Sequence, residues 1–164
     1  MGRFDRNLLY SEDGRTFIET KEGRQAYVEA IEFLRIQKGR RPFKRSEPLE
    51  KAARDHINDV GPNGLVSTIG SDGSLPVDRI GRYANVDETW AESDIFGGLN
   101  AKEVIERLIV CDGQPTRGFR KSLFNDQLNL CGIATGKHAT HDNIIQIEYV
   151  NALLKDGQGP SINI

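Results

Sequence analysis

Arg117-Gly118-Phe119-Arg120-Lys121-Ser122-Leu123-Phe124 is the stretch whose reading decides the fold of this 164-residue chain. Its third place holds Phe119, whose benzyl group has no lone pair for a metal and no proton to exchange. Four other blocks keep a fixed order ahead of and behind it. Leu49-Glu50-Lys51-Ala52-Ala53-Arg54-Asp55-His56 comes first. The run Gly64 to Arg79 follows, ending in Gly70-Ser71-Asp72-Gly73-Ser74-Leu75-Pro76-Val77-Asp78-Arg79. Ala91-Glu92-Ser93-Asp94-Ile95-Phe96-Gly97 is third, and Asn129-Leu130-Cys131-Gly132-Ile133-Ala134 closes the series.

Periodicity places these blocks on elements. Thr20 to Gln37 reads as a helix with Tyr27, Ala30, Ile31 and Leu34 in one apolar stripe. Ser46 reads as the N-cap of a second helix, with Pro48 near its start. Leu49, Ala52, Ala53, His56, Ile57 and Val60 lie on one side of that helix, and Gly61-Pro62-Asn63-Gly64 is expected to break it. His56 on that apolar face reads as a core histidine. Gly70 to Ser74 is turn chemistry, and a short helix is expected from Pro76 through Tyr83. Val86 to Phe96 is expected to hold a strand and a loop carrying Glu92. Asn100 with Glu103 forms a capping-box pattern for a helix through Val110, with Val104, Ile105, Leu108 and Ile109 as its buried stripe. Leu128 to Ala134 and Asn143 to Val150 read as strands. In the second, Ile144, Gln146, Glu148 and Val150 share one face and Ile145, Ile147 and Tyr149 the other. His138 and His141, with Asp142, read as a solvated loop; three short-range groups make a weak ligand set.

Composition bounds the function. The length suits one domain that buries a core without disulfides or metals. Charged residues make up 28%, hydrophobic ones 37%, and the net charge is −2, which argues against a global bias toward nucleic acid. No apolar run is long enough to span a bilayer, and the N-terminal residues carry no apolar core of signal-peptide type. Met1-Gly2 permits myristoylation only weakly, since Arg6 stands where Ser or Thr is wanted. Cys111 and Cys131, the two cysteines, read as buried small hydrophobes rather than a redox pair. Few cysteines and no leader lead to the expectation of an intracellular, cytoplasmic protein.

The segment from Arg35 to Arg45 holds Arg35, Lys38, Arg40, Arg41, Lys44 and Arg45, six basic residues in eleven with no acid. One reading is a solvated connector between two helices. The other is an anchor for an acidic partner. Only Phe43 interleaves, so the stacking pattern of a single-stranded nucleic-acid binder is missing. An acidic protein surface is therefore the partner expected, and sequence-specific nucleic acid is not.

The octet and the four blocks together resemble the CAP superfamily, the SCP-domain group of cysteine-rich secretory, antigen 5 and pathogenesis-related proteins. The resemblance covers roughly residues 24–150, leaving 1–23 as an N-terminal extension and 151–164 as a C-terminal tail. It implies an α+β fold, a three-layer α-β-α sandwich. It also implies a cavity where metal-binding members place two histidines and two acids. Here the first histidine position falls on Thr68, the first acid on Glu92 and the second histidine on Phe119. The second acid has no clear counterpart, and Asp112 is the nearest. With both imidazoles gone from these positions, Thr68, Glu92 and Phe119 form a vestigial cavity, and no metal or cofactor is expected there.

The resemblance and the residues lead to a non-catalytic CAP-domain protein acting as a binding or structural component of a larger intracellular assembly, with a cytoskeletal or ciliary setting expected. Two alternatives stand beside it. One is a residual hydrolase-like enzyme using Glu92 as a base, with Ser67, Thr68 or Ser93 as the hydroxyl. The other is a sterol- or lipid-binding protein with Phe119 lining a more apolar cavity.

Overall fold

The computed structural model describes residues 3–10, 17–86 and 89–154. In chain order the elements are β1 (Phe4–Asp5), β2 (Leu8–Tyr10), β3 (Phe17–Glu19), α1 (Arg24–Ile36), β4 (Lys44–Arg45), α2 (Glu47–Asn63), α3 (Pro76–Gly81), β5 (Trp90–Phe96), α4 (Ala101–Val110), α5 (Gly118–Phe124), β6 (Leu130–His138) and β7 (Asp142–Val150). Helices and strands together make it an α+β chain, as expected. Its residues gather into two units, Met1–Gly39 with Ala101–Leu123 and Arg40–Asn100 with Phe124–Ile164. Met1-Gly2 and residues 155–164 of the expected tail lie outside the described residues.

In the first unit β1, β2 and β3 form an antiparallel sheet within the N-terminal extension. Helix α1 begins at Arg24 rather than Thr20, because the backbone N–H and the hydroxyl of Thr20 both donate to the Asn7 carbonyl, each at 2.7 Å, and hold that residue to the sheet. Its buried line runs through Ala26 and Ala30, which pack with Val110, Tyr27 and Ile109. Ile31 and Leu34, expected in the buried stripe, are exposed, as is Ile105 of α4. Apolar spacing marked α1 and α4 correctly but overstated the stripe each one buries, whereas all six residues expected on the covered face of the second helix are buried.

The octet opening α5 acts here as an ionic clasp. Arg117 grips both Glu22 oxygens at 2.6 and 2.8 Å and a Glu29 oxygen at 2.7 Å. Arg120 reaches the other Glu29 oxygen at 2.7 Å and donates to the carbonyls of Ile109 and Val110, the latter at 3.3 Å. Such forked, charge-assisted bonds are the strong kind. They hold Arg117 in the left-handed region, φ 54°, just before the helix. Asp112 spends both carboxylate oxygens on the N–H groups of Lys21 and Glu22, at 2.7 and 2.8 Å, so it serves as a backbone tie and not as the second metal acid.

In the second unit the sheet order is β4-β6-β7-β5, with β4 parallel to β6 and the other pairs antiparallel. Strand β7 pairs on both edges and buries every residue from Ile144 to Val150. Helix α2 lies very close to β6. A Cβ on Gly132 would overlap the backbone of Leu49 and Glu50, and one on Gly136 would overlap the Ile57 side chain. Two apolar clusters fill this seam: Ala53, Ile57, Val60, Ala134 and Ile144, and Leu49, Ala52, Ile80 and Val150. The helix does not break at Gly61. Gly61 accepts from the Ala139 N–H of the β6–β7 hairpin at 2.9 Å, and the helix ends at Gly64, φ 63°. Ser46 precedes α2 as expected, yet its buried hydroxyl makes no cap bond.

Candidate functional site

Register builds the site. Glu92 of β5 lies opposite Glu148 of β7, and Asp94 lies opposite Gln146. In turn Glu148 lies opposite Gly132 of β6, and Gln146 opposite Ala134. Side chains alternate along a strand, and opposed residues share a face. Three acids and an amide therefore stand together on the face that carries Gly132 and Ala134. Like charges directly opposed on a sheet destabilise it. The cation that answers them comes from α3: Arg79, 1% exposed, donates to Glu92 at 2.5 Å and lies 4.0 Å from Glu148.

The approach to α3 positions that guanidinium. Its other terminal nitrogen donates to the backbone carbonyls of Thr68 at 3.2 Å and Ser74 at 3.0 Å. The turn supplying them is tied by Gly70 and Ser74, whose backbone groups bond at 2.9 Å, and by the Ser71 N–H donating to Asp59 at 2.7 Å. Asp78 accepts the Leu75 N–H at 2.9 Å and so starts α3. Gln146 donates to Glu92 at 2.6 Å and to Glu148 at 3.3 Å.

His56 of α2 completes the group and is fully buried. Its Nε2 lies 2.8 Å from the Ser67 carbonyl. A carbonyl only accepts, so Nε2 carries the proton and Nδ1 keeps a lone pair in the neutral ring. Burial, with the Arg79 charge beside it, pushes the imidazole below its usual range and favours that neutral form. Nδ1 has no hydrogen-bond partner, and neither do Glu92 Oε1, Asp94 Oδ1 or Glu148 Oε2. Burial first, and the Glu92 charge second, push the Asp94 carboxyl up to about 8 and the Glu148 carboxyl well above the ordinary range. Buried polar atoms are normally satisfied, so these partnerless atoms in neighbouring buried side chains, with Gln146 Oε1 and Arg79 Nε bare as well, set this region apart.

The residues picked from sequence fare differently. Glu92 is buried at the centre of the cluster, in a strand and not in the loop expected for it. Thr68 is exposed and contributes its backbone carbonyl, not its side chain. Phe119 is half-buried on α5, in the other unit. The ligand set implied by resemblance thus offers one donor, and an exposed hydroxyl and a benzyl ring do not fit a metal. Arg79, Asp94, Gln146 and Glu148 were missed. The signal available was the repeated polar pair at alternate strand positions, Glu92 with Asp94 and Gln146 with Glu148.

Two other expectations change. His138 is not in a solvated loop: it ends β6 buried, with Nε2 3.0 Å from the Leu65 carbonyl and its ring edge-on to Phe96. In the basic segment Arg45 is clamped to Glu50 at 2.5 and 2.8 Å, and Arg40 lies over the Phe43 ring and donates to the Leu128 carbonyl. Arg35, Lys38, Arg41 and Lys44 are exposed. Both cysteines are free, and burial raises both thiols.

No family model matches this chain, and no curated protein matches it by sequence. Solved structures do. An outer surface protein from Borrelia burgdorferi is 16% identical with a TM-score of 0.57, over 92% of this chain and 98% of that one. An extracellular SCP-domain protein from Bacillus anthracis is 16% identical with a TM-score of 0.58, over 79% of this chain and 40% of that one. A cysteine-rich secretory protein from Staphylococcus aureus is 14% identical with a TM-score of 0.52, over 77% and 37%. The chain spans well under half of the last two proteins. These neighbours are outer-surface, extracellular or secretory proteins, which overturns the intracellular, cytoplasmic expectation and the cytoskeletal or ciliary setting built on it. Sparse cysteines misled because a core of this size needs no disulfide in either compartment. Among the described residues no helix is long and apolar enough to cross a membrane. At this identity the likeness establishes architecture alone: the chain shares the fold of these SCP-domain and cysteine-rich secretory proteins.

Proposed function

We propose that this chain is a non-catalytic binding protein on a CAP-type scaffold, working outside the cell as its structural neighbours do, and docking an acidic protein surface. The observation that carries the reading is the state of Glu92. Its Oε2 is held by Arg79 and Gln146, at 2.5 and 2.6 Å, and no hydroxyl among the described residues is hydrogen-bonded to its other oxygen, whereas a general base needs its proton donor within reach. None of the hydroxyls considered for a hydrolase serves it. Ser67 Oγ is engaged with the Ile69 backbone at 2.9 and 3.0 Å, and Thr68 is exposed. Ser93 neighbours Glu92 in β5 and so points to the opposite face.

Docking draws on the exposed cations Arg41 and Lys44, beside the immobilised Arg40 and Arg45. Cations held on a rigid frame lose less side-chain entropy on binding than free ones. Two measurements test this reading. Ester and peptide libraries should show no turnover above buffer, and turnover that disappears in Glu92→Ala would overturn it. Binding to immobilised polyglutamate should be salt-sensitive and weakened by Arg41→Glu with Lys44→Glu at unchanged melting temperature; unaltered binding would reject the docking surface.

A further inference from the structure

We propose that His56, Glu92 and Asp94 form a site for one divalent transition-metal ion, with Glu148 beside them as a further carboxylate. This donor set is not the one the resemblance implies, whose histidine positions are Thr68 and Phe119. A ring nitrogen of His56 and one carboxylate oxygen each of Glu92 and Asp94 lie within 4.8 Å of one another. Zinc-like ions bind such donors at about 2.0–2.2 Å, so two donors on one ion stand at most about 4.4 Å apart. A small side-chain rotation closes that difference.

The donors are already prepared. The Ser67 carbonyl fixes the His56 tautomer from the far side of the ring, as the outer partner of a metal-bound histidine does. Nδ1 is then a buried lone pair with no other use, and Glu92 Oε1 and Asp94 Oδ1 are equally bare. Arg79 and Gln146 hold the opposite oxygen of Glu92, so an ion at Oε1 displaces neither. Charge supports the same conclusion. Three carboxyl groups face one guanidinium in a water-poor interior, an excess of acid groups that a divalent ion can bind. One imidazole with two carboxylates suits zinc or manganese better than calcium, which prefers an all-oxygen shell.

The competing histidine group is a poorer host. His138 uses Nε2 on Leu65 and places Nδ1 3.3 and 3.4 Å from the Thr140 hydroxyl and N–H. The test uses the full chain stripped with chelator and titrated calorimetrically with zinc chloride and manganese chloride, with melting followed in parallel. One equivalent should bind and raise the melting temperature. Asp94→Asn keeps the shape and should weaken binding at least ~10- to 100-fold, the typical cost of losing even an outer partner. His56→Gln should do the same, and Asp94→Asn carries the test alone if that variant misfolds. His141→Ala should leave binding unchanged. A folded wild-type chain that binds neither ion would overturn the proposal, as would binding that survives Asp94→Asn.

Discussion

Arg117 and Arg120 in one unit and Arg79 in the other all bind carboxylates, but the two networks end in opposite states. In the clasp two guanidiniums meet Glu22 and Glu29 and several carbonyls, and no side-chain polar atom of those four residues is buried without a partner. The Arg117 hydrogen bonds hold Glu22 down at about 2, and those of Arg120 lower Glu29. In the Arg79 cluster one guanidinium faces three acids, bare oxygens remain, and burial moves Asp94 and Glu148 upward. Charge ratio and burial, not residue type, separate a structural tie from a candidate site. A matched network has no capacity left, whereas a mismatched one must take up protons or an ion.

The largest expected effect comes from removing the single cation of the mismatched network. Arg79→Met leaves Glu92 buried and unpaired and should cost about 3–5 kcal/mol by urea denaturation. A loss near zero would mean the cluster is already neutral without Arg79 and would erase the contrast. Arg120→Met should cost about 2–3 kcal/mol, because Ile109 and Val110 lose a donor in a buried setting. Arg117→Met, at a more exposed position, should cost about 1 kcal/mol. Inverted ranking of those two would show that the Glu22 pair carries the clasp. Phe119→Ala should cost about 2 kcal/mol, less than the ~3–5 kcal/mol of a fully buried ring, because Phe119 is half-exposed.

Acidity should move the two regions in opposite directions, the subtlest of these effects. Glu22 is lowered on folding, so its stabilisation is present above about 4.5 and fades as pH falls toward about 2. Glu22→Gln should flatten that acid limb in pH-dependent melting. Asp94 is raised on folding, so its protonated form stabilises below about 4 and the benefit fades as pH rises toward about 8. In chelator, Asp94→Asn should remove that downward slope; a slope of the same size in both proteins would place its origin elsewhere.

The helices and strands were legible because their apolar spacing is local. α2, α3, α4, β6 and β7 stand close to where periodicity and turn residues placed them. The clasp and the cluster were not legible, since each joins residues far apart in the chain: Glu22 with Arg117, and His56 with Asp94. Gln146 and Glu148 alternate with isoleucines, a pattern that reads equally as a strand with one wet face. Only the pairing of β7 on both edges and the approach of α2 over Gly132 and Gly136 made that face an interior one.

Sequence by itself determined the fold class of this chain, through ordered blocks whose turns, glycines and paired arginines suit one architecture. It also determined that histidine is missing at Thr68 and Phe119. Tertiary structure alone decided where the unsatisfied chemistry resides. Hydrogen-bond satisfaction and dielectric are properties of what surrounds an atom, and strand register and helix seating set those surroundings for His56, Glu92 and Asp94.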